Sequence, residues 1–137
     1  MIEFHSQNTF ELSNPKEVTN WIEELISNEG FVVGDISYVF CDDSFLLNIN
    51  QEFLDHDTYT DIISFNYSLG KELAGEIYVS TDRVLENANT FGASFESELH
   101  RVIAHGVLHF CGYEDGSEEQ KVLMRKKEEE YLQLICQ

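Results

Sequence analysis

Apolar residues recur every three or four positions from Val18 through Trp21, Ile22 and Leu25 to Ile26. This is the stripe of an amphipathic helix that Pro15 starts and that runs to about Asn28, before Gly30. Two short apolar runs, Ile2 to Phe4 and Ile36 to Cys41, predict strands. Asp42-Asp43-Ser44 opens a helix carrying Phe45, Leu46, Ile49 and Phe53, and Leu54 to Tyr59 is a polar loop. Ile62 to Tyr67 and Leu73 to Val79 predict strands joined at Ser68-Leu69-Gly70-Lys71, a hairpin pattern. Ser80-Thr81-Asp82 caps a helix that ends near Gly92, and Ser94 caps another whose buried face is Leu99, Val102, Ile103, Val107 and Phe110. Ser117 and Gln120 form a capping box for a last helix. The expectation is an α+β fold, a small mixed β-sheet packed with about five helices. With 137 residues, 42% of them hydrophobic, the chain is long enough for one domain, residues 1–137, around one core.

The helix that begins after Ser94 carries a second pattern, off its apolar face. Glu98, Arg101, His105 and His109 recur at helical spacing, so they form a polar stripe expected to face a groove. Residues four apart lie about 40° apart around the axis and one turn apart along it, so His105 and His109 can aim their imidazoles at one point. A straight helix would carry Asp115 about 9 Å beyond His109. Gly112 can adopt the left-handed conformation that ends a helix, letting the chain fold back and deliver Asp115 to the same point. Two imidazoles and a carboxylate leave one position of a tetrahedral zinc site for a metal-bound water, the catalytic arrangement. The expected site is therefore His105, His109 and Asp115 at the end of a helix followed by a glycine turn. Glu114 is the alternative third ligand.

Gly106 narrows the chemistry. In the zinc peptidase pattern H-E-x-x-H, a glutamate follows the first histidine and acts as general base; here that base is missing, which argues against peptide hydrolysis.

Charge adds a constraint. The net charge is -18, with 8 Lys and Arg against 26 Asp and Glu, which excludes a general nucleic-acid-coating protein. Five of the basic residues, Arg101, Lys121, Arg125, Lys126 and Lys127, fall on or after the histidine segment. They give either a small positive region near the site or, for the last three, pairs with Glu128, Glu129 and Glu130 along a solvated helix. Cys41, Cys111 and Cys136 are an odd, widely spaced set that fits reduced thiols, and Cys111 should face away from the metal. No apolar run of membrane-spanning length and no secretory signal pattern is present, so the expected compartment is the cytoplasm, with no membrane contact and no nucleotide cofactor.

Three blocks resemble the YbeY family of bacterial metal-dependent endoribonucleases. His105, Gly106, Leu108, His109, Gly112 and Tyr113 match its H-G-x-L-H-L-x-G-Y-D-H pattern, with Asp115 where the third histidine usually stands. Asn50 and Phe53, then Thr60-Asp61-Ile62-Ile63-Ser64-Phe65, resemble its N-x-x-Y-R and T-D-V-L-S-F. Gly75-Glu76-Ile77-Tyr78-Val79-Ser80 resembles its G-D-I-x-I-S strand. The resemblance implies a zinc-dependent, single-strand-specific endoribonuclease in small-subunit ribosomal RNA maturation and ribosome assembly or quality control. It implies one metal per chain, zinc or another divalent ion, with ribosomal RNA, the ribosome and a ribosome-associated protein as partners. Leu54 stands where the family usually has an arginine, which turns attention to Arg101 as the catalytic cation. Asp61 and Ser64 are candidates to support the ligands or touch substrate. The rival readings are a hydrolase of a small molecule or peptide, and a non-catalytic assembly factor stapled by metal.

Overall fold

The computed structural model describes residues 1–54 and 60–135, leaving the side chains of Phe53 and Leu54 aside; residues 55–59 of the expected loop and Cys136 lie outside what is described, and Leu54, expected to open that loop, is instead the last residue of a helix. In chain order the elements are β1 (Ile2–Ser6), α1 (Pro15–Asn28), β2 (Val32–Cys41), α2 (Asp43–Leu54), β3 (Ile62–Asn66), β4 (Glu72–Ser80), α3 (Thr81–Phe91), α4 (Phe95–Phe110) and α5 (Glu118–Leu132). This is the expected α+β arrangement, with β1, β2 and β4 longer than their apolar runs. The ladder continues past the last large apolar side chain because backbone pairing does not require one.

The sheet order is β1-β2-β4-β3, with β1, β2 and β4 parallel and β3 antiparallel at the edge. Alternation along the strands sorts side chains between two faces. Ile36, Tyr38, Phe40, Leu73, Ile77 and Val79 pack in the main core with Val18, Trp21, Ile22, Leu25 and Ile26 of α1 and with Leu99, Val102, Ile103, Val107 and Phe110 of α4. Ile63 and Cys41 turn to the other face, against Leu46 of α2.

Two buried polar contacts fix the helices that build the site. Tyr38 donates its hydroxyl to the Ile103 carbonyl at 2.8 Å, and Trp21 Nε1 donates to the Tyr131 carbonyl at 2.8 Å, so the sheet orients α4 and α1 holds the end of α5. Gly106 lets α4 lie close on the sheet, since a Cβ there would meet side-chain atoms of Ile62 and Ile77 at 3.1 Å. The residue that would carry a peptidase base therefore occupies a helix–sheet contact. Among the described residues no helix is long and apolar enough to cross a membrane.

Candidate metal centre

Ser94 starts α4 by accepting a hydrogen bond from the Ser97 amide at 3.1 Å, and the buried face anchors the helix along its length. At the other end Gly112 has φ 105°, a conformation favouring glycine, and the chain reverses there. The Gly112 and Tyr113 amides donate to the His109 and Leu108 carbonyls, closing the last turn. Tyr113 then donates its hydroxyl to Oε1 of Glu29, the residue after α1, at 2.7 Å. This tether holds the turn from which Asp115 returns to the helix.

The result is a convergence of three ligand atoms. Nε2 of His105 and Nε2 of His109 are 3.0 Å apart, and Oδ2 of Asp115 lies 3.3 Å from the first and 3.5 Å from the second. Ligands bound tetrahedrally at zinc distances stand about 3.3 Å from one another. The three can hold one metal ion. Glu114 is exposed and does not belong to the cluster. Cys111 packs at the edge of the core, as expected, and burial pushes its thiol up to about 12, which keeps it protonated.

His105 is prepared for the ligand role by a residue that local sequence reasoning missed. Its Nδ1 sits 2.6 Å from Oε2 of Glu128 on α5, so the ring proton belongs on Nδ1 and Nε2 presents a lone pair. Burial would raise the Glu128 pKa, but the bond to His105 and the charge of Arg101 outweigh it and lower it. Of the two alternatives read from the sequence, pairing along the helix is present in part, as Arg125–Glu128 and Lys127–Glu130 at 3.9 Å, but Glu128 is not solvated: its side chain is 2% exposed. A signal was present, because Met124, Glu128 and Tyr131 follow the i, i+4, i+7 rule and are the buried residues of α5, which sets a charge on a buried stripe.

Glu128 also binds Arg101. Nη1 of Arg101 donates to Glu128 Oε1 at 2.8 Å, Nε donates to Glu98 Oε1 at 3.0 Å, and Nη2 donates to Glu98 Oε2. Glu98 is buried rather than exposed on a groove-facing stripe, and Arg101 is its partner there. Arg101 thus commits three of its five N–H donors to two buried carboxylates. Burial opposes its charge, and these carboxylates raise its pKa nonetheless.

Two cavities flank the ligands. One, of about 280 Å³, is lined by Thr60, Asp61 and Ser64 of the β3 side together with Arg101, His105, His109 and Asp115. Asp61 accepts from Asn87 Nδ2 at 3.4 Å, and its pKa is raised by burial against the pull of Arg101 and His105. Asp61 and Ser64 line this wall, while the acceptor at His105 is Glu128. The other, about 450 Å³, lies between α4 and α5 and includes Arg101, His105, Asp115, Lys121, Arg125 and Glu128.

The model of the endoribonuclease YbeY family matches residues 2–135. The chain belongs to the YbeY family. An endoribonuclease YbeY from Christiangramia forsetii is 54% identical over 134 residues, covering 98% of this chain and 94% of that protein. Another, from Flavobacterium psychrophilum, is 52% identical over 135 residues, covering 98% and 96%. The solution structure of a Thermotoga maritima protein matches with a TM-score of 0.69 at 29% identity, covering 98% of this chain and 89% of that one. The YbeY-like blocks of the sequence meet in space. Ser64 of β3 pairs with Ile77 of β4, and Gly106 of α4 packs on Ile62 and Ile77, so the histidines stand beside the Thr60–Phe65 block.

Proposed function

We propose that this chain is a zinc-dependent endoribonuclease that cuts single-stranded RNA and acts in the cytoplasm on ribosomal RNA precursors, as one catalytic domain. The convergence of His105, His109 and Asp115 at tetrahedral spacing, in a chain of the YbeY family, carries this reading. Two nitrogens and one carboxylate oxygen suit zinc, while other divalent ions also accept such donors. A metal held there would supply Lewis-acid charge for a phosphate oxygen and lower the pKa of water, so that hydroxide is available to displace the ribose oxygen from phosphorus. The chain's own residues set up that chemistry. Glu128 orients His105, and Arg101 pairs with Glu128 and Glu98 while standing at the border of both cavities. Asp61 and Ser64 offer a carboxylate and a hydroxyl to a ribose or base edge from the β3 side.

The ligands line a cavity on the β3 side, which favours a lone strand whose bases can splay into it. Kinship with YbeY supports the ribosomal substrate and the link to small-subunit assembly or quality control. The net charge of -18 supports dependence on the ribosome or a basic ribosome-associated protein to bring RNA to so acidic a body. Metal analysis of the purified protein, with cleavage of single-stranded and structured RNA by wild type and His105→Ala, tests the reading. One zinc per chain and cleavage confined to single strands are expected. RNA cleavage by the metal-free mutant at the wild-type rate would overturn it.

A further inference from the structure

Arg101, which lines both cavities beside the histidines, is held by Glu98 and Glu128, so its charge is already balanced inside the protein. Phosphate recognition beside the metal centre then falls to other residues. Lys121 and Arg125 stand four apart on α5, hence on one face, and line the same 450 Å³ cavity as His105 and Asp115. Their own ion pairs are loose. Lys121 is 3.8 Å from the exposed Glu118, and Arg125 is 3.9 Å from Glu128, whose carboxylate is occupied by Arg101 and His105. With side chains 59% and 53% exposed, such pairs contribute little and leave both cations available to a ligand.

The cavity also has an accessible apolar side chain in Val122, while Met124 belongs to the core. Across the ligands, the β3-side cavity carries Asp61, which repels phosphate. Arg101, His105 and Asp115 are common to both cavities; beyond them the α5 side adds Lys121, Arg125 and the already paired Glu128, whereas the β3 side adds Asp61, and this difference distinguishes the two halves of the cleft. We propose that Lys121 and Arg125 form a subsite for the RNA phosphate adjacent to the one being cleaved, with the exposed Val122 between them meeting its nucleoside. The strand's backbone then runs along α5, and a ribose or base lies on the Asp61 side. This inference rests on the endoribonuclease reading and assigns a polarity to the cleft that the reading alone does not contain.

The test is steady-state cleavage of a short single-stranded RNA by wild type, Lys121→Gln, Arg125→Gln, their double variant, and Lys16→Gln as a remote charge control. The double variant is expected to raise KM about tenfold with kcat within twofold of wild type and metal content unchanged. The dependence of log KM on log salt should flatten by about 0.7 for each phosphate that no longer meets a cation. Lys121→Arg, which keeps the charge, should leave KM near the wild-type value. An unmoved KM and salt slope, or a rise matched by Lys16→Gln, would overturn the subsite while the endoribonuclease reading stands. Wild-type protein that cleaves no RNA would overturn both.

Discussion

Oε2 of Glu128 sits 2.6 Å from Nδ1 of His105, so a residue of the last helix determines which nitrogen of a candidate ligand carries the proton. The same carboxylate accepts from Arg101 through its other oxygen, which couples the ligand, the arginine and α5 in one buried unit. Glu128→Gln is expected to weaken zinc binding by about 10- to 100-fold, since an amide orients the ring poorly and does not raise its basicity. Glu128→Asp should recover part of the loss. Competition with a chromophoric chelator reads this directly, and equal affinity in wild type and Glu128→Gln would remove the orienting role.

The ligand set itself predicts a graded series. His105→Ala and His109→Ala should abolish stoichiometric metal, because each removes one of three protein ligands. Asp115→Ala should weaken binding and Asp115→His should retain it, whereas Glu114→Ala should be neutral because Glu114 stands outside the cluster. Metal loss in Glu114→Ala with retention in Asp115→Ala would shift the register of the site.

Arg101 carries a stability prediction along with one for activity. Glu98 is 3% exposed and Arg101 only 14%, so Arg101→Ala leaves two buried carboxylates without their cation. The cost should be about 3–5 kcal/mol in chemical denaturation, accompanied by lower cleavage. Arg101→Lys keeps the charge but loses the planar fork, so it should recover stability only in part. Wild-type stability and cleavage in Arg101→Ala would mean that the two carboxylates find other partners.

Glu29 predicts a pH dependence. Burial acts to raise its pKa, but hydrogen bonds from Tyr131 and Tyr113 and the charge of Lys127 outweigh it, leaving the value below its ordinary 4.5. A carboxylate with a depressed folded-state pKa contributes stability that is fully present above the unfolded value and is lost as pH falls through the folded one. The stability difference between wild type and Glu29→Gln should therefore be constant above about pH 5 and shrink below pH 4.5. Urea denaturation at several pH values measures it, and a difference that grows on acidification would contradict the assignment.

The sequence by itself determined what depends on neighbours along the chain. His105, His109, Gly112 and Asp115 fall within eleven residues, and helix pitch plus one glycine turn places the three ligands within reach of one another. The caps at Ser80, Ser94 and Ser117 and the apolar faces of α1 and α4 are local in the same way. Tertiary structure decided everything that joins distant segments. Glu128 reaches His105 across 23 residues and Glu29 reaches Tyr113 across 84, and no periodicity specifies such partners. It also decided that Glu98 is buried and Arg101 internally paired, because a charged stripe facing solvent and one covered by a neighbouring helix read alike in sequence. The packing of other elements around α4, α5 among them, removes water that would otherwise solvate those charges, and with it comes the need for each to have a partner.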